Sequence, residues 1–307
     1  MSGTSVAVLM GGPDAEREVS IQSGLAVAAA LRDASWLVHE HVIGKLDEAA
    51  LRSLTGDLVF PALHGPWGEG GPLQTLLESD GRPFVGSPAA VAALCMDKAE
   101  TKALAESLGI ATPAWSVVRE RRGCPLPPPV AIKPNDDGSS IDLHLCDSQS
   151  SADEAVNAMV SDRGSALVER WVSGRELTVG VVCGEPLPLI EIVPSSGVYD
   201  YAAKYDRDDT RYIVDPPLED RHRERMIEST RVLCAQAGIR HVARVDYLLD
   251  EDGPWLLEIN TMPGFTSHSL LPMAADAQRW DMPTLCDRLV RAAIWSDTAP
   301  SVFTPKS

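Results

Sequence analysis

Residues 242–270 read VARVDYLLDEDGPWLLEINTMPGFTSHSL. Two runs of alternating side chains flank Asp250-Glu251-Asp252-Gly253, the pattern of a β-hairpin. Gly253 suits the φ > 0 position of a three-residue loop made of Glu251, Asp252 and Gly253, which pairs Asp250 with Pro254. Counting outward sets Asp246 opposite Glu258 and Arg244 opposite Asn260. Strand side chains alternate, so these four polar groups share one face with Leu248 and Leu256. Val245, Tyr247, Trp255, Leu257 and Ile259 take the other face. Asn260 to Thr266 is turn chemistry, and it brings backbone N–H groups beside the polar face.

That face reads in two ways. One is a solvated strand surface with a salt bridge. The other is a site for a metal and an anion. Asp246, Glu258 and Asn260 offer hard oxygens, which suit Mg²⁺ and leave positions for water and nucleotide phosphates. Arg244 beside them suits a phosphate or a developing oxyanion.

The chain has 307 residues, enough for two domains or three small ones, and is 44% hydrophobic, enough for sizeable cores. Its net charge of −17 argues against coating a nucleic acid. An anionic nucleotide remains compatible, because a few placed lysines and a metal set the local field. The six cysteines are scattered with no metal spacing, so buried free thiols are expected. The opening MSGTSVAVLMGG lacks a basic segment, and no apolar run is long enough for a membrane span. A reducing, cytoplasmic location is the expectation.

Along the chain, Ser5 to Met10 is an apolar strand running into Gly11-Gly12, with a helix over Ala15 to Leu31 capped by Asp14. Glu16 reads in two ways, as a carboxylate favoured in that first turn by the helix dipole or as one facing the crevice beyond the strand end. Leu58 to Leu63 is a second strand. His64 at its end faces the same crevice, and the glycine-rich stretch to Gly71 is a loop. A helix over Leu73 to Ser79 and a short strand over Pro83 to Gly86 follow. Lys98 opens a helix reaching Leu108, and Ile110 to Val118 is extended. Val130 to Lys133 is a strand leading to a Gly138-Ser139-Ser140 turn that suits a phosphate but does not match a P-loop. Ile141 to Cys146 and Ser165 to Val172 are strands around a helix over Ala152 to Val160. Glu176 to Cys183 pairs with Leu187 to Ile192. Val193 to Pro217 has no apolar periodicity, and its tyrosines and Lys204 mark a functional loop. Helices over Leu218 to Ala237 and Thr284 to Ile294 complete the reading.

LLEINTMPGFTSHSLLPMAA resembles the C-terminal signature of the D-alanine–D-alanine ligases, members of the ATP-grasp superfamily. LMGGPDAEREVS, ALHGPWGEGGPLQTLLE, MDKAETK, IKPNDDGSS, VERWVSGRELTV and YDYAAKY extend that resemblance over nearly the whole chain, in the family's order. The resemblance implies an α/β (α+β ATP-grasp) fold. A small N-terminal α/β substrate domain with a parallel sheet, residues 1–94, precedes two α+β subdomains, 95–172 and 173–307, that clamp ATP. It implies ATP-dependent ligation of two D-alanines through an acyl phosphate, for peptidoglycan precursors. It further implies Mg²⁺, with Mn²⁺ as a substitute and two ions per site, a homodimer, and neither nucleic-acid nor membrane partners.

Residue by residue, the resemblance implies that Glu16 binds the first ammonium and joins a hydrogen-bonded set with Ser139 and Tyr205. His64, Ser269 and Leu270 fall in the substrate sites. Lys98, Lys133 and Lys204 serve the phosphates, with Lys204 on a closing loop. Glu169, Arg170, Trp171, Val172 and Glu176 line the adenine and ribose site. Asp246, Glu258 and Asn260 match the metal ligands. Arg244 and the Gly264 N–H match the oxyanion hole. Asp142 stands where the family usually has glycine, and Arg170 where it commonly has lysine. Two other readings stand beside this one. One is a ligase joining D-alanine to another D-amino or hydroxy acid, and the other is a non-catalytic ATP-binding homologue.

Overall fold

The structure, a computed structural model, describes residues 3–138, 142–194 and 210–296. Its strands form three sheets. The first is parallel, with β1 (Ser5–Gly11) between β2 (Leu37–Ile43) and β3 (Leu58–Pro61). Every residue of β1 is buried, which explains its unbroken apolar run. Helix α1 (Arg17–Asp33) lies close on β1 because residue 24 is glycine. A Cβ there would sit 2.5 Å from the Met10 Cβ. Ser20 locks the same junction, accepting from the Gly11 N–H at 2.8 Å. Four helices follow the β1–β2 crossover: α2 (Glu48–Ser53), α3 (Gly65–Glu69), α4 (Pro72–Asp80) and α5 (Ala89–Met96).

Several expectations change here. Strand β2 and helices α2 and α5 lie where the sequence reading placed no element. Residues 83–86 form only an isolated bridge, Val59 to Phe84. The glycine-rich stretch after His64 is not simply a loop, since α3 occupies its centre. Asp14 does not cap α1, whose N-cap is Glu16 without a side-chain bond. Its carboxylate instead accepts the N–H groups of Trp67 at 3.0 Å and Gly68 at 3.1 Å, satisfying the orphan donors of α3. A cap supplied from some fifty residues away leaves no local signature.

Helix α6 (Lys98–Ser107), capped by Asp97, leads to the second sheet. That sheet is antiparallel in the order β4-β7-β5-β6, with β4 (Trp115–Val118), β5 (Val130–Lys133), β6 (His144–Cys146) and β7 (Ala166–Arg170). Helix α7 (Gln149–Arg163) covers one face, burying Ala152, Val156 and Met159 against Val130, Ile132 and Val168.

The third sheet carries β8 (Arg175–Val182), β9 (Glu185–Pro186), β10 (Ile190–Val193), β11 (Arg211–Val214), β12 (Val242–Asp250) and β13 (Gly253–Asn260). Its order is β11-β10-β8-β12-β13, with β9 paired to β8. Helix α8 (Asp220–Ala237) packs beneath it. Helices α9 (Leu270–Ala277) and α10 (Met282–Ser296) return to the first sheet, and Leu285 and Leu289 share a core with Val27 and Leu31 of α1. The two ends of the chain are thereby joined by one hydrophobic cluster. Among the described residues no helix is long and apolar enough to cross a membrane, and all six cysteines are free thiols.

The β12–β13 hairpin corrects one detail and keeps the important one. Asp250 pairs with Gly253, not Pro254, so the loop is only Glu251 and Asp252. That moves the register by one residue near the turn. A bulge then inserts Leu257 between the Tyr247–Leu256 and Asp246–Glu258 pairs and restores the count. Asp246 does face Glu258, and Arg244 does face Asn260. Between turn and bulge the faces are exchanged. Leu256 is fully buried in the core, whereas Leu257 lines a cavity with Leu248. Trp255, paired with Leu248, lies on that cavity side. Full burial of Leu256 contributes about 1.5–3 kcal/mol, more than the roughly 0.5–1.5 kcal/mol net of one lost ladder hydrogen bond.

Candidate active site

Two cavities meet between the sheets. The larger, about 560 Å³, is lined by Glu16 from the start of α1, His64 after β3, Arg244 of β12, and Glu258 and Asn260 of β13. Gly264, Ser269 and Leu270 from the segment after β13 complete its far wall. The smaller, about 340 Å³, is lined by Lys133 of β5, by Glu169, Arg170, Trp171 and Val172 at the end of β7, and by Glu176 of β8. Lys98, Asp137, Gly138 and Glu258 border both. Residues expected to serve two different ligands therefore sort into two adjoining spaces. Ser139, Lys204 and Tyr205 lie outside the described residues.

At the junction the Lys98 Nζ pairs with the Glu258 Oε2 at 3.1 Å and donates to the Asp137 carbonyl at 2.6 Å. The N-terminus of α6 is tied down by Asn135, which accepts the Lys98 N–H on its carbonyl and the Ala99 N–H on its side chain. This fixes Lys98, which is buried, at the mouth between the cavities. In the smaller cavity the Glu169 carboxylate meets Lys133 at 2.5 Å on one oxygen and Lys102 on the other. Burial works to raise the Glu169 carboxyl, but the two ammonium groups outweigh it and hold the group down at about 2. Arg170 is exposed and carries its guanidinium 4.8 Å from the centre of the Trp255 ring.

Arg244 and Asp246 form a two-pronged pair, and Asp246 also accepts the Thr178 hydroxyl at 2.7 Å. Asp246 is thus turned to its strand neighbours and lines neither cavity, while Glu258 and Asn260 do line one. Among the described residues no group of three or more His, Cys, Asp or Glu side chains is arranged to hold a metal ion. The oxygens of Glu258 and Asn260 are nevertheless the hard donors that a magnesium-type cation takes.

The segment after β13 is gripped from the first sheet's side. Met262 donates its N–H to Glu69 at 3.2 Å and to the Asn260 side chain at 3.0 Å, and its carbonyl accepts from the His64 Nδ1 at 3.1 Å. A carbonyl only accepts, so the proton sits on Nδ1 and Nε2 faces Ser23 at 3.4 Å. Phe265 donates its N–H to the Ser23 hydroxyl at 3.2 Å. His64 is buried, and burial, aided by Arg244, lowers it to about 4, so it is neutral. It lines the larger cavity as expected, yet both ring nitrogens are engaged with protein groups. Ser269 closes the segment by accepting the Thr266 N–H at 3.0 Å, and a Cβ on residue 264 would lie 2.7 Å from its Oγ. A side chain at 264 would force the Ser269 hydroxyl out of that hydrogen bond.

The sequence reading missed Ser23, Glu69, Asn135 and Lys102. Only Lys102 left a usable signal. Positions 98, 101, 102 and 105 form the buried stripe of α6, and a lysine in such a stripe needs a partner.

Comparison with known proteins fits this geometry. The sequence model described as "D-ala D-ala ligase C-terminus" matches residues 104–291. The chain belongs to the D-alanine–D-alanine ligase family. Its relatives include the D-alanine–D-alanine ligase of Anaeromyxobacter dehalogenans strain 2CP-C, 38% identical over 303 residues, spanning 95% of this chain and 97% of that one. The D-alanine–D-alanine ligase of Hydrogenovibrio crunogenus is 39% identical over 278 residues, 89% of each chain. The crystal structure of the D-alanine–D-alanine ligase from Bacillus anthracis complexed with ATP superposes with a TM-score of 0.84 at 28% identity, covering 97% of this chain and 99% of that one. The fold is the ATP-grasp fold of these ligases, as the signature segments implied.

Proposed function

We propose that this ligase joins two molecules of D-alanine at the expense of ATP. The carboxylate of the first attacks the γ-phosphorus, giving an acyl phosphate and ADP. The amine of the second then attacks the acyl carbon, and the tetrahedral adduct expels inorganic phosphate to leave D-alanyl-D-alanine. The observation that carries the reading is the meeting of the two cavities at Lys98 and Glu258. One cavity has a carboxylate, Glu16, for an ammonium, and an arginine and a glycine turn for an oxyanion. The other has lysines for phosphates. A phosphoryl group passing between two substrates needs such a shared border.

In this reading Glu16 anchors the first ammonium, and Arg244 with the Gly264 N–H stabilises the developing oxyanion. Lys98 and Lys133 hold phosphate oxygens, while Glu169 to Val172 and Glu176 enclose the base and ribose. Ser269 and Leu270 border the second amino acid, and Ser139, Tyr205 and Lys204 belong to the same machinery. Glu258 and Asn260 would hold Mg²⁺ from the cavity side, with Asp246 behind them. The ion would draw charge from the phosphates as the γ-phosphoryl moves. We take residues 1–94, 95–172 and 173–307 as the functional units, working as a homodimer in the cytoplasm to feed peptidoglycan synthesis.

Phosphate release from ATP that depends on D-alanine, with the product identified, tests the proposal. D-alanyl-D-alanine as main product is expected. Phosphate release indifferent to D-alanine, or mainly D-alanyl-D-lactate when D-lactate competes, would overturn it.

A further inference from the structure

Lys102 lines neither cavity, yet among the described residues it is the one ion-paired lysine with no exposed side-chain surface. Its ammonium pairs with one oxygen of Glu169 and donates to the Thr112 hydroxyl at 2.6 Å. Thr112 in turn donates to the Leu256 carbonyl at 2.9 Å, beside the bulge. Lys133 meets the other oxygen of the same carboxylate at 2.5 Å and lines the smaller cavity. The arrangement is two cations on one anion, with only one of the cations facing the cavity.

We propose that Lys102 is a positioning residue for the nucleotide: by neutralising Glu169 from behind, it leaves the charge of Lys133 available to ATP. The inference rests on the ATP-dependent reading above. Without Lys102, the Glu169 carboxylate and Lys133 form a closed pair of no net charge, and the cavity loses part of its attraction for phosphate. Burial lowers the Lys102 ammonium, the contacting Glu169 carboxylate opposes that, and with Lys102 charged the triad carries one net positive charge, presented on the cavity side. A buried carboxylate must be compensated, so Lys102 also lets Glu169 stay ionised and hold Lys133 in place.

The test is binding of ATP and of adenosine by calorimetry, together with KM for ATP and kcat, in wild type, Lys102→Met and Lys102→Gln. Wild type must bind ATP, and its failure to do so would reject the functional reading, not the role of Lys102. Lys102→Met is expected to weaken ATP binding about 10-fold, within the usual coupling range of contacting charges. Adenosine, which has no phosphate, should bind Lys102→Met as it binds wild type. KM for ATP should rise in step and KM for D-alanine should stay put. A Lys102→Met enzyme with unchanged ATP affinity would overturn the proposal, as would equal losses for ATP and adenosine, which is the mark of a purely structural lysine. Should Lys102→Met fail to fold, Lys102→Gln decides, because its amide can still hydrogen-bond Glu169 and Thr112 while the charge is gone. A loss for ATP alone supports the proposal, and no loss or an equal loss for adenosine overturns it.

Discussion

Arg244 holds Asp246 through two parallel hydrogen bonds, Nε to Oδ1 at 2.8 Å and Nη2 to Oδ2 at 2.7 Å. The two residues are neighbours on one face of β12, so the guanidinium is locked in plane and aimed at the larger cavity before any ligand arrives. A preorganised donor does not have to reorganise when charge develops. Arg244→Ala should lower turnover at least ~10²-fold, the scale of losing one oxyanion donor, while ATP binding changes much less. Normal turnover combined with poor ATP binding would instead make Arg244 a phosphate clamp.

Glu258 stands where the two cavities meet, paired with Lys98 at 3.1 Å. Glu258→Gln keeps the shape and removes the charge. Turnover is expected to fall by about 10²-fold or more, with unfolding by heat little changed. The decisive measurement is turnover against Mg²⁺ concentration. A variant indistinguishable from wild type when Mg²⁺ limits would remove Glu258 from the metal site.

Much of this site was legible before the structure. The spacing of Arg244, Asp246, Glu258 and Asn260 required only that two strands alternate and pair, which is local chemistry. The bulge was not legible as such. Its one trace is the adjacent Leu256 and Leu257, which break the alternation, and only the third dimension says which of them enters the core. Strand β2, LVHEHVI, escaped because as an edge strand it is half exposed and mixes polar with apolar residues on both faces. Helix α5, AAVAALCM, escaped because it is apolar all round and starts without a side-chain cap. The grip of Ser23, His64 and Glu69 on residues 262–265 joins positions some two hundred residues apart, and no periodicity encodes that.

The grip predicts a pH signature. Burial raises the Glu69 carboxyl from its ordinary 4.5 to about 8, with Glu16 adding in the same sense against the N–H groups of Gly65 and Met262. A group whose folded value is raised contributes stability that is complete below its unfolded value and is lost as pH climbs through the folded one. Glu69→Gln cannot ionise. Its melting temperature relative to wild type should therefore climb between about pH 5 and about pH 9. Parallel curves over that span would show that Glu69 does not titrate there.

Asp142 is not a bare negative charge. Arg163, the last residue of α7, binds it at 3.0 Å through Nε and reaches Asp137 at 2.8 Å through Nη1. One cation thus offsets two carboxylates, Asp142 and the Asp137 that borders both cavities. Arg163→Ala should raise KM for ATP by about 3- to 10-fold, more at low ionic strength. Arg163→Ala/Asp142→Gly should fall between that variant and wild type. Equal KM values in all three would mean that solvent screens these charges completely.

The bulge at Leu257 also sets how the gene can change length. Because it absorbs one residue downstream of the turn, the hairpin behaves as a ruler with an adjustable end and a fixed one. A codon added between Glu251 and Asp252 lengthens a solvent loop, and Glu258 and Asn260 keep their partners on β12. A codon removed at 257 is absorbed as well: it erases the bulge, and Tyr247–Leu256 and Asp246–Glu258 become consecutive pairs of a regular ladder. A codon removed at 259, beyond the bulge, has no such outlet and turns Asn260 toward the core. Single-codon insertions at the tip and single-codon deletions at the bulge should be recovered as active enzyme from a library of length variants, and single-codon deletions at 259 should not.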